Sequence, residues 1–185
     1  LAYYLAAGMW KEADEETFKV MLEVAGCEKQ GYLEPEDIRQ FPCEDLRIID
    51  KLWVDYSNGH FGFSVQKEIY LEEGGILEGN RTSSPFKKAL APFRWIYERF
   101  GGKVRDEDDE KYEALDAYVD RVGWRVEQEW IGREQVIYST SALKGHLPYF
   151  YDKWKDFGVE GIFSLLSRPH SFLSSLASRL VKCNI

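Results

Sequence analysis

The chain has 185 residues, 44% of them hydrophobic and 15% aromatic, with a formal net charge of −8. That length suits one domain with a sizeable core rather than two. The acidic balance excludes the phosphate-gripping field of a nucleic-acid binder, and no apolar run reaches the roughly 20 residues of a membrane-spanning helix.

Residues 1–8 read as a short helix closed by Gly8, and not as a signal or transit peptide. The chain is therefore expected either in the cytosol or downstream of a removed targeting segment. Residues 11–25 form a second helix with Phe18, Met21, Leu22 and Val24 as its apolar positions, stopped by Gly26. Residues 34–40 make one or two helical turns, with Pro35 suited to the first position. The most regular helix is 43–55, where Leu46, Ile49 and Trp53 follow a three-four spacing and Ile48 and Leu52 widen the face. Ser57-Asn58-Gly59 ends it, because Asn and Gly tolerate a left-handed cap. Ser64 can cap the next helix, which runs to about residue 73 and stops at Gly74-Gly75.

Ser84-Pro85 opens a further helix to about residue 100, with Pro92 implying a kink. The acidic run RDEDDEK, 105–111, reads as a solvated linker. Residues 112–122 are helical, with Tyr112, Leu115 and Val119 in register. Residues 123–148 are irregular, and helices resume at 150–157 and in the C-terminal segment. No long alternating pattern and no internal repeat occurs, so the class is all-α: a single compact helical domain with a loop-lined ligand cleft. Three cysteines, Cys27, Cys43 and Cys183, give no disulfide framework and suit a reducing compartment.

Catalytic signatures are missing. The chain has no GxxxxGK[ST] loop, HExxH, CxxC or GxSxG, and His60, His146 and His170 are scattered. An EF-hand reading of GYLEPEDI fails, since oxygen ligands do not alternate there. A binding protein is the better class, and rings are its most abundant resource. Two loops combine rings, glycine and cations: YSNGHFGF, 56–63, followed by Lys67, and DRVGWR, 120–125. If they meet over a helical floor they make a slot for a planar ligand, with Arg121, Arg125, Lys67 or His60 to meet carboxylates at its edge. The plainer reading is that Phe61, Phe63 and Trp124 fill the core where loops cross helices.

The stretches WKEADEET, FPCEDLRIIDKLWVDYSNGHFGFSVQKEIY, DRVGWR and GHLP resemble, in wording and order, the genomes-uncoupled-four family. The resemblance implies an all-helical, non-catalytic protein that binds protoporphyrin IX and magnesium protoporphyrin IX, without a permanent cofactor. It also implies stimulation of magnesium chelatase in chlorophyll biosynthesis through contact with that enzyme's large, porphyrin-handling subunit. Porphyrin contacts would come from Val54, Phe61 and Phe63 on the first loop and Trp124, Arg121 and Arg125 on the second, with Lys67 and His60 nearby. His60 is in the right loop to be an axial ligand, although a porphyrin's magnesium can carry water instead. The expected location is the chloroplast stroma and its thylakoid or envelope surface, or the cytoplasm and thylakoid surface of a cyanobacterium, as a monomer with peripheral membrane contact. The alternative is a helical protein-interaction module that keeps the fold without binding porphyrin.

The expected domain is 1–170, with an atypical insertion at about 76–116, followed by a tail at 171–185. Leu173, Leu176 and Leu180 share one face of that tail, and Pro169 divides the segment into two pieces. The face either packs back as a last core helix or docks on the chelatase or a membrane surface.

Overall fold

Local chemistry sets the first boundaries. In this computed structural model, which describes residues 1–78, 107–149 and 167–185, α1 (Ala2–Ala6) and α2 (Trp10–Ala25) are separated at Gly8, and α2 stops at Gly26, whose φ of 69° suits glycine. α3 (Pro35–Gln40) starts with proline at its first position and a capping box, in which Asp37 accepts the backbone N–H of Glu34 at 2.8 Å. α4 (Cys43–Tyr56) buries Leu46, Ile49, Asp50 and Trp53. Its apolar stripe is narrower than expected: Ile48 is 53% exposed.

α5 (Phe63–Glu72) is capped from another helix and not by Ser64. The Asp50 carboxylate of α4 accepts the Ser64 N–H at 2.8 Å. α6 (Glu107–Arg121) takes in most of the acidic run that reads as a linker, since carboxylates favour the positive end of a helix dipole. A two-residue hairpin follows, β1 (Arg125–Val126) with β2 (Glu129–Trp130), and then a 3-10 turn at Arg133–Gln135. α7 (Ser167–Lys182) is the last element, and Pro169 falls in its first turn, where a missing N–H costs no helical bond. The helices expected at 84–100 and 150–157, and the kink at Pro92, lie outside the described residues. The described elements are helical but for that short hairpin, which bears out the all-α class.

Rings dominate the core around α4. Trp53 is fully buried, stacks on Trp10 with centroids 6.1 Å apart, and donates its indole N–H to Thr17 of α2 at 2.9 Å. The far side of the core is closed by α7, which packs on α3 and α5. Phe172, Leu173, Leu176 and Leu180 are all buried there. Four such side chains contribute roughly 6–12 kcal/mol gross, comparable with the whole net stability of a domain. The segment that reads as either core helix or docking tail is therefore core.

The cysteine expectation fails. Cys43, at the start of α4, and Cys183, just past α7, form a disulfide with Cα atoms 5.2 Å apart, and Cys27 is buried and free. A separation of 140 residues leaves no spacing signal in the sequence. Only the packing of α7 brings the two sulfurs together.

Candidate functional site

The first loop, 57–62, turns at Asn58 and Gly59, with φ of 54° and 75°. The Ser57 hydroxyl accepts the Phe61 N–H at 2.8 Å and closes the turn. Gly62 is the pivot. Its φ is 132°, and a Cβ there would come within 2.9 Å of Val54 Cγ2 and 3.0 Å of Asp50 Oδ1. This lack of a side chain lets the chain pass against α4 and send its two flanking rings to different places. Phe61 meets Trp10 and Trp53 edge-on, at centroid distances of 5.5 and 6.2 Å. Phe63 lines a cleft between α5 and α7. Burial pushes the Asp50 carboxyl up from its usual range, and the N–H groups of Ser64 and Phe63 pull it back.

A loop at 142–148, further along the chain than the expected DRVGWR segment, is sewn to the first. Gly145 donates its N–H to His60 O at 2.9 Å, and Gly62 donates to Leu147 O at 3.2 Å. His60 Nε2 lies 2.8 Å from Ala142 O, and the Gln66 amide of α5 donates to Gly145 O and Pro148 O, both at 2.9 Å. His146 then ties this loop to the end of α6. Its Nδ1 is 2.7 Å from Val122 O, its Nε2 accepts the Ile137 N–H at 3.1 Å, and its carbonyl accepts the Trp124 indole N–H at 2.7 Å. That set of partners admits one form, the neutral ring protonated on Nδ1. Burial lowers its pKa accordingly.

The loop that meets 57–62 is therefore 142–148, and the expected partner DRVGWR is reached only through His146; the rings of both expected loops face inward. Phe61 and Phe63 are fully buried, and Trp124 is buried between Tyr118 and Tyr149 at centroid distances of 5.6 and 5.4 Å. Val54 and His60 are partly exposed. The cations have partners already. Arg121 pairs with Glu72 and Glu73, both at 2.6 Å. Arg125 pairs with Asp116 and Asp120, both at 2.7 Å, and its hydrogen bonds hold the Asp120 carboxyl below the usual range. Lys67 donates to the main-chain oxygen of Ile185 at 2.5 Å. Because His60 Nε2 faces a carbonyl, it must carry a proton, and axial ligation through that nitrogen would break the bond to Ala142.

Surface that could meet an apolar ligand comes instead from residues the sequence reading passed over. Val126, Ile137 and Leu143 are 57%, 50% and 55% exposed. Leu143 lies over Gly123, where a Cβ would be 3.0 Å from its Cδ1, and Ile137 is bonded to His146. All three sit in the stretch without periodicity, so nothing in the sequence marked them. The cleft between α5 and α7, lined by Phe63, Lys67, Tyr70, Leu173, Leu176 and Leu180 among others, has room for about one water molecule and is far smaller than a porphyrin requires. Among the described residues no group of His, Cys, Asp or Glu could hold a metal ion, and no helix is long and apolar enough to cross a membrane.

Known proteins of similar sequence and fold agree with the motifs. The chain is 28% identical over 148 residues to a chloroplastic tetrapyrrole-binding protein of Arabidopsis thaliana, covering 78% of this chain and 49% of that one. It is 39% identical over 67 residues to a Ycf53-like protein of a Synechocystis strain, covering 35% of this chain and 29% of the other. The chain thus spans about half, or less, of the curated relatives it matches. The ligand-free structure of Arabidopsis thaliana GUN4 superimposes with a TM-score of 0.57 at 20% identity, covering 96% of this chain and 88% of that one. GUN4 from Chlamydomonas reinhardtii gives 0.54 at 19%, covering 94% and 82%. At such identity the likeness carries the fold alone. The family description GUN4-like matches residues 1–160, and by that match the chain belongs to the GUN4-like family, the one that its motifs resemble.

Proposed function

We propose that this chain binds a tetrapyrrole on the face where the loops 57–62 and 123–148 are joined, and that it serves as a non-catalytic regulator of porphyrin use. The observation that carries the reading is the joining itself. His60, Gly62 and Gln66 hold the second loop by main-chain and amide hydrogen bonds, in a chain whose Arabidopsis relative is named as tetrapyrrole-binding. Phe61, Phe63 and Trp124 hold the two loops in place from below. Val54 and His60, with Val126, Ile137 and Leu143, offer the surface to one face of the macrocycle. Arg121 and Arg125 would meet the ligand's propionates by exchanging their present carboxylate partners, and Lys67 by leaving Ile185.

The ligands proposed are protoporphyrin IX and magnesium protoporphyrin IX, and the partner is the large subunit of magnesium chelatase, whose activity the protein would stimulate. The place is a chloroplast or a cyanobacterial cell, at the thylakoid surface. Burying about 300 Å² of porphyrin would contribute roughly 7 kcal/mol gross, and association costs several kcal/mol of it. Micromolar affinity follows, which suits a carrier that must release its ligand. The test is a titration of protoporphyrin IX followed by its absorbance and by tryptophan fluorescence. One porphyrin per chain is expected, and no spectral change at tens of micromolar sinks the proposal. Chelatase turnover with and without the protein tests the regulatory half. The inward burial of Phe61, Phe63 and Trp124 favours a second reading, a helical interaction module without porphyrin, which the same titration separates.

A further inference from the structure

The end of α7 is held to α4 and α5 by three bonds that sit side by side in the chain. Cys183 is joined to Cys43. Its carbonyl accepts the Arg47 guanidinium at 2.7 Å, and two residues on, Ile185 O accepts the Lys67 ammonium at 2.5 Å. Only the first is covalent. Lys67 also lines the cleft between α5 and α7, beside Phe63 and Leu180. The disulfide can be approached from one side, since Cys43 is partly exposed while Cys183 is buried.

From this we infer that the Cys43–Cys183 disulfide is a redox latch, which in its oxidised form holds residues 183–185 against Lys67 and in its reduced form frees the Lys67 ammonium for an anionic ligand. The ligand half rests on the tetrapyrrole reading above. The latch half does not. The reductant is a protein dithiol. Its thiolate attacks the sulfur of the partly exposed Cys43, the S–S bond breaks, and the electron pair goes to Cys183, which takes a proton from water. The second thiol of the reductant loses its proton and displaces Cys43 from the mixed disulfide. Cys43 leaves as a thiolate at the first position of a 14-residue helix, where the dipole favours negative charge. The reductant ends as a disulfide and the protein as two thiols. Lys67 then loses a bond that depended on the closed end of α7, and its ammonium becomes free for a carboxylate.

The full chain, folded, is treated with dithiothreitol or with its oxidised form, and three quantities are read. Alkylation of the native protein should count two more thiols after reduction. Hydrogen exchange at the amides of Cys183, Asn184 and Ile185, which are bonded to Arg179, Leu180 and Val181 carbonyls in the closed state, should speed up by tenfold or more. Acetylation of the Lys67 amine, located by mass, should rise several-fold, and Cys183→Ser should match the reduced protein without any reductant. A disulfide that reduces only when the chain unfolds, or exchange and Lys67 labelling that are equal in both states, overturns the latch. Protoporphyrin IX should bind several-fold more tightly to the reduced form, with the difference absent in Lys67→Met. Equal binding to both forms overturns the ligand half. Binding to neither form, with the labelling difference intact, defeats the tetrapyrrole reading and supports the latch.

Discussion

Replacing Trp124 with alanine separates a ring that supports the fold from one that faces a ligand. From the sequence, Trp124 on an irregular loop is expected to touch porphyrin, and its loss to weaken binding with the fold intact. Burial overturns the second half of that expectation: the residue is 4% exposed, wedged against Tyr118 and Tyr149. Its indole N–H also satisfies the His146 carbonyl, and His146 is the residue that ties the second loop to α6. Truncating a buried tryptophan costs about 3–5 kcal/mol, and a carbonyl left without its donor adds ~1 kcal/mol or more. A total of about 4–6 kcal/mol lowers the melting temperature of a domain this size by roughly 8–24 °C. Trp124→Phe keeps the ring and loses only the N–H, so its drop should be a fraction of that. Circular dichroism melts, paired with urea unfolding at 25 °C, measure both variants. If Trp124→Ala melts within about 2 °C of the parent while its affinity for protoporphyrin IX falls, the ring faces ligand, and the packing argument is wrong.

Gly62→Ala should destabilise by about 2–4 kcal/mol, from the unfavourable backbone conformation and the clash with Val54 and Asp50 together; a urea midpoint equal to the parent's refutes the pivot. His146 is neutral in the folded protein with its pKa lowered, so its contribution is constant above the unfolded value near 6.5. Stability is then lost as pH falls from there toward the lowered folded value, because the unfolded chain binds the proton first. A His146→Gln variant should lack that part of the slope below about pH 6.5. Arg121→Gln should shift the melting temperature little, because its pairs with Glu72 and Glu73 are exposed, and weaken protoporphyrin IX, with no effect on a porphyrin lacking propionates; equal affinity returns Arg121 to those pairs. Removing residues 171–185 should abolish the cooperative melt, and an unchanged melting temperature would restore the detachable tail.

Much of the helical order was legible because each boundary has a local cause. Gly26, Pro35 and the Asn58-Gly59 pair act through their own backbone preferences, and those survive any tertiary context. Errors fell where a partner distant in sequence decides. Ser64 has the chemistry of a cap, yet Asp50, fourteen residues earlier, takes that task from the neighbouring helix. Cys43 and Cys183 carry no spacing signal across 140 residues. The acidic run is helical because a charge-rich segment can begin a helix as readily as it can solvate a linker.

The same distinction explains how far the candidate site could be read. The loop 57–62 was identifiable, since rings and glycines cluster there, while its partner 142–148 was not; the direction of each ring depends on what fills the other side. Phe61 turns inward because Trp10 and Trp53 leave a ring-shaped gap, and Phe63 because α7 closes over it. A sequence that places two aromatics around one glycine announces a tight passage of the chain and says nothing about which side is wet. The residues that do reach solvent, Val126, Ile137 and Leu143, are ordinary aliphatics in an aperiodic stretch. Taken singly, such exposure is ordinary for a folded domain. In the proposed site such aliphatics would supply contact area for a planar ligand, and the buried rings beneath would supply the rigidity that keeps the area in one place. A loop held by Gly145, His146 and Gln66 therefore loses little freedom on binding, which is the condition for weak apolar contacts to give a specific site.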